Sequence, residues 1–363
     1  MVVLKKQEKK LDQTLLILTI IATIFGLIMV FDSSSVTAIR DFADKFYYAR
    51  QQIIWVIIGL VGLIFASKLD YHKLEKLASP FFLFNLFLLV IVLIPGIGVK
   101  VMGARRWLNI LGVSIQPAEL IKLSFIIYLA AFLTKKRPFL YFVVILSMLV
   151  SLVMMEPDLG TTIIVVTTSL TVYFVSGINL GYFLFLGSLG MVSGLLLILS
   201  SGYRKERLMT FLDMGKDPLG ASYHIRQVLL ALGAGGLWGL GLGASRQKFS
   251  YLPEAMTDSI FAIIAEELGF IGAVAVLVLL FCIVWRGFAI ALKAPDSFGQ
   301  FLGVGIASSI GIQILVNIAS QVALVPLTGV PLPFISYGGS SLIVVLSGIG
   351  ILLNISKHQT ATK

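Results

Sequence analysis

Long apolar stretches recur along the chain and alternate with shorter polar segments. An α-helix needs about 17–25 apolar residues to cross the hydrocarbon core of a bilayer, whereas a barrel strand needs only about 9–11. The stretches here have the length of helices, and their pattern predicts about ten membrane spans. We place these spans near residues 14–31, 51–67, 80–97, 117–134, 138–155, 160–176, 180–199, 258–285, 300–325 and 338–356.

The composition agrees with this pattern, because 58% of the 363 residues are hydrophobic and only 13% are charged. A water-soluble protein of this length could not bury so much apolar surface, so lipid must surround most of the chain. We therefore predict an all-α polytopic membrane protein with about ten transmembrane helices. Residues 1–363 form one membrane domain, and residues 200–257 form one long extracytoplasmic loop within it.

Charges at the start of the chain orient the predicted bundle. Four lysines precede the first apolar stretch, and positively charged segments tend to stay in the cytoplasm. An even number of spans then places both termini in the cytoplasm. The first stretch, Thr14–Phe31, is longer than the apolar region of about 7–15 residues in a signal peptide. We therefore predict that it is a retained span of a cytoplasmic-membrane protein.

The net charge of +10 invites a nucleic-acid interpretation. Much of this charge, however, lies at the ends of apolar stretches, as in Lys135-Lys136-Arg137, which is typical of membrane proteins. We therefore expect no nucleic-acid partner. The long loop is exceptional, because it carries seven Lys and Arg residues on the predicted outer side. This charge indicates an anionic ligand there.

Cysteine and histidine usage argues against several kinds of site. The single cysteine, Cys282, lies inside an apolar stretch, so neither a disulfide nor a Cys-based metal site is expected. The three histidines, at positions 72, 224 and 358, are scattered along the chain. We therefore expect no His-ligated metal centre and no His-based triad.

Asp258 is the sharpest candidate for chemistry. It follows Leu-Pro-Glu-Ala-Met-Thr, where the polar loop enters the eighth predicted span. A carboxylate at the rim of the lipid, near several Arg and Lys residues, could accept a proton from a sugar hydroxyl that attacks a phosphate-activated carbon. The alternative is structural, because Asp is a favoured helix N-cap worth about 1 kcal/mol. Glu254, one turn earlier, is a weaker candidate of the same kind.

Besides Asp258, the first residue of the eighth predicted span, four charged residues lie within predicted spans. Glu119 and Lys122 are three residues apart, on one face of a helix, where they can pair. Ionisable groups at membrane depth suggest function, although such a pair could also simply hold two spans together. Glu266 and Glu267 lie about 12 Å further along the eighth span than Asp258, at ~1.5 Å per residue. They are either protonated or paired with a residue of another span.

Basic residues of the outer loops are candidates for binding phosphate, since Arg offers planar bidentate geometry. Those of the long loop include Arg204, Lys205, Arg207, Arg226, Arg246 and Lys248. Arg105 and Arg106 stand in another outer loop, before Trp107. The alternative for each is a solvated side chain that contacts lipid headgroups.

Six glycines lie between Gly233 and Gly243 and suggest a phosphate-binding loop. No Gly-Lys-Ser/Thr follows them and no strand–helix unit surrounds them, so a nucleotide site is not expected. The apolar segment Ile225–Leu242 instead predicts a stretch that lies along the membrane surface or dips into it. Glycines there would permit close approach of other backbone.

Several of these segments together resemble the shape, elongation, division and sporulation (SEDS) family of bacterial cell-wall glycan polymerases. They run in the family's order over nearly the whole chain and are Gly103–Trp107, Gln116–Leu123, Glu156–Gly160, Asp217–Gly220, the glycine-rich stretch, Leu252–Glu267 and Pro333–Ser341. The resemblance implies a ten-span peptidoglycan glycosyltransferase that polymerises lipid II on the outer face of the cytoplasmic membrane. It also implies a class B penicillin-binding protein as partner, which crosslinks the strands.

The resemblance also implies roles for individual residues. The family's essential aspartate falls on Asp258, and its intramembrane ion pair falls on Glu119 and Lys122, which we take as candidates for substrate binding. The candidates for binding the pyrophosphate of the undecaprenyl-linked glycan are Arg105, Arg106, Arg246 and Lys248. A divalent cation, Mg²⁺ or Mn²⁺, is a candidate cofactor without assigned ligands.

Within the family, three segments at residues 222–227, 245–249 and 257–261 resemble division-type members more than elongation-type members. We therefore expect septal wall synthesis, beside other membrane proteins of the division machinery. An elongation-type polymerase is one alternative. A second is a lipid II transporter that uses Glu119–Lys122 and Glu266-Glu267 as a relay, and a third is a non-catalytic scaffold.

Overall fold

The computed structural model of the protein describes residues 11–101, 104–110, 112–135, 137–177, 180–199, 202–213, 222–249 and 251–359. The helices are α1 (Gln13–Phe42), α2 (Tyr47–Lys68), α3 (Tyr71–Leu93), α4 (Pro117–Thr134), α5 (Phe139–Met155), α6 (Leu159–Val175), α7 (Leu180–Leu199), α8 (Gly202–Leu212), α9 (Tyr223–Ala234), α10 (Ile260–Leu292), α11 (Ser297–Gln321) and α12 (Gly339–Lys357). An antiparallel sheet has the order β1 (Gly98–Val101), β2 (Ala104–Ile110), β3 (Val113–Ile115).

Each predicted span overlaps a helix, which confirms the all-α polytopic membrane fold, although α3 begins nine residues before the predicted start at residue 80 and ends four before the predicted end at residue 97. The helices long and apolar enough to cross a membrane are α1, α2, α3, α4, α10, α11 and α12. Shorter apolar helices, namely α5, α6 and residues 181–194 of α7, match the remaining predicted spans. Helix α1 continues to Phe42, beyond its predicted end. Its polar continuation stays helical, with the hydroxyl of Ser35 bonded to the carbonyl of Asp32 at 2.9 Å.

Residues 98–115, expected as an outer loop, contain the small sheet. β1 pairs with β2 from Gly98 opposite Leu108 to Val101 opposite Ala104. Apolar and polar residues do not alternate along β2, Ala-Arg-Arg-Trp-Leu-Asn-Ile, and β1 and β3 have only 4 and 3 residues, so the sequence does not reveal these strands. Gly103 lies outside the described residues.

The long loop contains α8 and α9 and is therefore not an irregular connection throughout. One face of α9 is buried through Ile225, Val228 and Ala231, which recur at every third residue. The segment Asp217–Gly220, the four N-terminal lysines and Lys136 lie outside the described residues.

The centre of the bundle is formed by α4, α11 and α12, which are buried along most of their length. Helices α2 and α3 instead expose Ile, Val, Leu and Phe side chains, as lipid-facing helices do. Glycines allow close helix contacts in the centre. A Cβ atom on Gly350 of α12 would lie only 2.4 Å from the carbonyl oxygen of Leu63 in α2.

The connections between helices gather at two ends of the bundle. At one end the backbone N–H of Asp12 donates to Ser356 at 3.1 Å, so α1 begins where α12 ends. The other end, which we call the Asp258 end, holds the long loop and the connections α1–α2, α3–α4, α5–α6 and α11–α12. The termini of the described chain thus share one side, as an even number of spans requires. That this side is cytoplasmic stays a prediction.

Candidate active site

Asp258 lies two residues before Ile260, the first residue of α10. The residue in the N-cap position is Ser259, and no side chain caps this helix, so the capping alternative for Asp258 is wrong. The residue is half-buried. Its carboxyl group lies beside Gly329, because a Cβ atom built on Gly329 would be 3.8 Å from Oδ2 of Asp258. The candidate base therefore faces the α11–α12 connection.

The backbone that carries Asp258 is held at three successive carbonyl groups. The carbonyl of Met256 accepts from the N–H of Tyr337 at 2.8 Å, and that of Thr257 accepts from the hydroxyl of Ser336. The carbonyl of Asp258 accepts from the side-chain amides of Asn317, at 2.9 Å, and Gln321. Both α11 and the α11–α12 connection thus fix the position of Asp258.

The environment of Asp258 favours proton transfer near neutral pH. Desolvation of the carboxyl, and next the charge of Glu254, raise the pKa of Asp258 from 3.8 to about 7. The positive charge of Arg207 and a hydrogen bond from Thr257 partly oppose this rise. The Thr257 hydroxyl contacts both carboxylates, at 2.7 Å from Oε2 of Glu254 and 3.4 Å from Oδ1 of Asp258. A general base whose pKa is near the working pH is the most effective.

Arg207 of α8 is the cation of the long loop that the structure brings to this carboxyl group. Its guanidinium donates to the carbonyl of Leu327 at 2.8 Å, two residues before Gly329. Arg207 is one of the six basic residues of the long loop that are candidates for binding phosphate, and the resemblance to the family does not point to it. Nothing in its spacing distinguishes it, because its proximity to Asp258 depends on how α8 packs against the α11–α12 connection.

Arg105 and Arg106 lie on β2. Arg106 donates through Nε to the carbonyl of Glu156 at 2.8 Å and through Nη2 to the carbonyl of Pro157 at 2.7 Å. It thereby holds the α5–α6 turn. The side chain of Arg105 is half-buried. A role of either residue in binding pyrophosphate stays a prediction.

Glu156, in the same turn, is a buried carboxyl group that sequence reasoning gave no role. It is 0% exposed, and neither side-chain oxygen has a hydrogen-bond partner among the described residues. Burial, and next the charge of Asp158, raise the pKa of Glu156 to about 9, against the opposing charge of Arg106. The side chain is therefore neutral at physiological pH.

Lys248 is not placed as a ligand for a surface phosphate. The residue is 5% exposed, and its ammonium group lies 2.8 Å from Oδ1 of Asp32 and 3.0 Å from Oε1 of Glu267. Two carboxylates, one from α1 and one from α10, thus form ion pairs with its ammonium group. Arg246, in contrast, is exposed at the surface. Its predicted role in phosphate binding remains untested.

The side chains of Glu266 and Glu267, adjacent on α10, accept hydrogen bonds from residues of the long loop. Glu266 accepts from the hydroxyl of Ser245 and, at 3.1 Å, from the backbone N–H of Arg246. Glu267 accepts from the backbone N–H of Ser245 at 3.0 Å and from Lys248. These contacts dock residues 245–248 against the first turns of α10.

The glycine-rich segment crosses α10 where this helix is broken. Gly269 interrupts the helix with φ +68° and ψ −171°, and backbone groups of residues 236–241 replace the lost helical hydrogen bonds. For example, the N–H of Gly241 donates to the carbonyl of Glu267 at 2.9 Å, and that of Phe270 donates to Gly236 at 2.8 Å. A Cβ on Gly239 would lie 2.1 Å from the Glu267 carbonyl oxygen. The predicted close approach at glycines is confirmed.

Glu119 and Lys122 form the predicted pair on α4, and both are buried. The ammonium of Lys122 lies 2.9 Å from Oε1 and 2.8 Å from Oε2 of Glu119. It also donates to Oε1 of Gln313 in α11 at 2.8 Å. The pair therefore links α4 to α11, and its predicted contact with substrate remains untested.

The expected divalent cation can be compared with the carboxylates present. Near Asp258 the second carboxylate is Glu254, and within the described part of the chain no group of three or more His, Cys, Asp or Glu side chains is arranged so that it could hold a metal ion. Mg²⁺ commonly binds one or two protein carboxylates together with substrate phosphates and water. Glu254, beside Asp258, fits that ligand set as its single carboxylate.

Comparison with known proteins gives concordant results. The family model described as cell cycle protein, for FtsW, RodA and SpoVE, matches residues 12–361. Stage V sporulation protein E of Bacillus subtilis is 44% identical over 356 residues, covering 96% of this chain and 97% of its own. A probable peptidoglycan glycosyltransferase FtsW of Trichlorobacter lovleyi is 41% identical, covering 95% and 93%.

Two solved structures are similar over almost the full chain. One is a chain of a peptidoglycan synthase complex that coordinates polymerization and crosslinking, with a TM-score of 0.76, 28% identity and coverage of 95% of this chain and 97% of that chain. The other is the rod shape determining protein RodA of Thermus thermophilus, with a TM-score of 0.71, 27% identity and coverage of 97% and 98%.

Proposed function

The chain belongs to the family of cell cycle proteins that includes FtsW, RodA and SpoVE, and on this premise we propose that Asp258 is the general base of its glycosyl transfer. The protein is a membrane-embedded peptidoglycan glycosyltransferase. The observation that carries the proposal for Asp258 is its place: a half-buried carboxyl with a pKa of about 7, between a loop cation and the α11–α12 connection.

The proposed reaction joins two lipid-linked sugars. Asp258 accepts the proton of the 4-hydroxyl of lipid II, and the oxygen attacks the anomeric carbon of a growing glycan on undecaprenyl pyrophosphate. The new C–O bond forms while the bond between that carbon and the pyrophosphate oxygen breaks, so undecaprenyl pyrophosphate leaves. Both lipid tails stay in the bilayer, which requires the reacting atoms to lie at the lipid rim, as Asp258 does.

Cations near Asp258 would stabilise the pyrophosphate as its negative charge develops. We assign this task first to Arg207, because its charge already acts on Asp258. Arg105, Arg106 and Arg246 stay candidates at the same end of the bundle. A Mg²⁺ or Mn²⁺ ion held by Glu254 and the substrate phosphates would add charge stabilisation, and no step above depends on it.

The rival function, transport of lipid II, would need the buried charges of the bundle to act as a relay. The contacts favour the polymerase instead. Lys122 is neutralised by Glu119, and Lys248 is neutralised by Asp32 and Glu267, within two separate clusters on different helices. Each of the two ammonium groups is therefore held by carboxylates where it stands, as in a structural ion pair.

A reconstitution experiment separates these functions. Purified protein in vesicles, with a crosslinking partner enzyme, should convert labelled lipid II into glycan strands on a gel. Asp258→Ala and the isosteric Asp258→Asn should both stop polymerisation while they elute from a sizing column like the wild type. Normal polymerisation by either variant would show that Asp258 is not the base. Lipid II movement without polymer formation by the wild type would favour the transporter.

We further propose a class B penicillin-binding protein as partner and septal synthesis as the cellular role. The similarity to a synthase complex that couples polymerization and crosslinking supports the partner, and the FtsW-named relatives support the septal role. Depletion in cells tests the role. Filaments would support division, rounded cells would indicate elongation, and a defect confined to spores would indicate the sporulation branch represented by stage V sporulation protein E.

A further inference from the structure

Three amide side chains form a polar stripe on α11 that the proposed reaction does not use. Gln313, Asn317 and Gln321 recur at every fourth residue, which places them on one face of the helix. They are 2%, 1% and 1% exposed, respectively. A buried amide is costly unless hydrogen bonds offset its desolvation, so the partners of this amide stripe indicate its purpose.

The two amides nearest the Asp258 end hold the candidate base and the segment that faces it. Asn317 donates to the carbonyl of Asp258 at 2.9 Å and to that of Val330 at 2.7 Å. Gln321 donates to the same Asp258 carbonyl. Val330 follows Gly329, the residue that lies beside the Asp258 carboxylate. The amide stripe thus ties the backbone of the base to the α11–α12 connection beside it.

The third amide connects this arrangement to the buried ion pair of α4. Gln313 donates through Nε2 to the carbonyl of Pro331 at 2.9 Å. Its Oε1 accepts from the ammonium of Lys122 at 2.8 Å, and the same ammonium is paired with Glu119. Lys122 thereby fixes which way the Gln313 amide points, since an ammonium group can only donate.

We propose that the amide stripe, anchored by the Glu119–Lys122 pair, positions the carboxyl group of Asp258 for proton transfer. The inference rests on the proposed function, because it names the residues that hold the base assigned there. The only side-chain hydrogen bond to the Asp258 carboxyl among the described residues is the 3.4 Å contact with Thr257. Its position is therefore set through its backbone. The buried pair acts through Gln313 and not by touching substrate.

Initial rates of lipid II polymerisation, measured against substrate concentration and pH with the reconstituted full-length protein, test this proposal. Asn317→Leu should lower the maximal rate about 10–100-fold, because a displacement of about 1 Å at a reacting group costs that much. The KM for lipid II should stay within about twofold. The pH midpoint of the rate should also move, because the carboxyl shifts relative to Glu254 and Arg207. A purely structural role would lower the yield of folded protein and leave this midpoint unchanged.

Changes at Gln313 separate its two contacts. Gln313→Glu keeps an acceptor for Lys122 but loses the donor to Pro331, so it should reduce the maximal rate less than Gln313→Leu, which loses both. Ser308→Ala is the matched control, because Ser308 is a 4% exposed residue of α11 whose hydroxyl has no partner among the described residues. It should behave like the wild type. If Asn317→Leu does not fold, the two Gln313 variants carry the test.

The outcomes distinguish the two proposals. Full activity of Asp258→Ala would show that Asp258 is not the base, and the positioning proposal would then be wrong as well. If Asp258→Ala is inactive but folded Asn317→Leu and Gln313→Leu keep the wild-type maximal rate and pH midpoint, only the positioning proposal is wrong. A raised KM with an unchanged maximal rate would also overturn it, in favour of substrate binding by this region.

Discussion

Replacing Glu156 by glutamine should stabilise the protein at neutral and alkaline pH. The carboxyl is fully buried in the α5–α6 turn, and burial raises its pKa to about 9 from an ordinary value of 4.5. At pH 7.5 the unfolded chain ionises this group, whereas the folded chain keeps it protonated. The unfolded state then binds fewer protons than the folded state, so stability must fall as pH rises between about 4.5 and 9.

The size of the effect follows from these pKa values. Each pH unit above 4.5 costs the folded state about 1.36 kcal/mol relative to an uncharged side chain, until the folded protein itself ionises near pH 9. At pH 7.5 the cost is about 4 kcal/mol. Glutamine has nearly the same shape and no charge, so Glu156→Gln should recover most of this amount at pH 7.5 and only about 0.7 kcal/mol at pH 5.

The assay is reversible unfolding of detergent-solubilised protein by a second, denaturing detergent, at pH values from 5 to 9. The difference in the free energy of unfolding between Glu156→Gln and wild type should grow with pH. Glu206→Gln is the control, because Glu206 is exposed on α8 and should give no pH-dependent difference. Parallel stability curves for Glu156→Gln and wild type would refute the reasoning. Lower stability of Glu156→Gln at pH 7.5 would mean that Glu156 is ionised and paired.

Three further predictions concern the site and its supports. Because the base form of Asp258 is the ionised one and its pKa is about 7, the polymerisation rate should rise with pH through a midpoint near 7. Arg207→Gln removes a charge that lowers this pKa and should therefore move the midpoint upward. An unchanged midpoint would contradict the proximity of Arg207 to Asp258. Lys248→Met should cost about 3–5 kcal/mol of stability, since it leaves the Asp32 and Glu267 carboxylates without their cation. The double variant Lys248→Met with Glu267→Gln should recover part of this loss. Loss of activity at full stability would instead favour pyrophosphate binding by Lys248. Gly269→Ala should destabilise the protein by about 1–3 kcal/mol or more in the same unfolding assay, because its φ of +68° suits glycine and a Cβ would lie 2.3 Å from the Gly239 nitrogen. The control is Gly190→Ala in α7, where no atom lies within 4 Å of an added Cβ, and it should be nearly neutral.

The amino-acid sequence was sufficient to locate the membrane helices. A bilayer of fixed thickness forces each span to a minimum apolar length, so runs such as 117–134 and 180–199 reveal their helices directly. The sequence also indicated Asp258, because a carboxyl at the junction of a polar loop and an apolar run is visible without a fold. The Glu119–Lys122 pair followed from helical spacing alone.

Contacts between distant segments were decided only by the tertiary structure. Lys248 appeared to be a loop cation available to phosphate, yet it pairs with Asp32, 216 residues earlier in the chain. The break of α10 at Gly269 and its repair by residues 236–241 were equally invisible, because a single glycine within an apolar run is common in membrane helices. Hydrophobicity orients a helix towards lipid but does not specify its neighbours.

Local sequence was thus enough to locate the apolar segments that cross the membrane and the carboxyl group at the start of the eighth one. The cation near that carboxyl group and the hydrogen bonds that hold its backbone became visible in the folded protein. Insertion into lipid depends on the composition of each segment alone. The spacing of the α11 amides places them on one helix face, but their partners, like the position of Arg207, depend on how distant helices and loops pack.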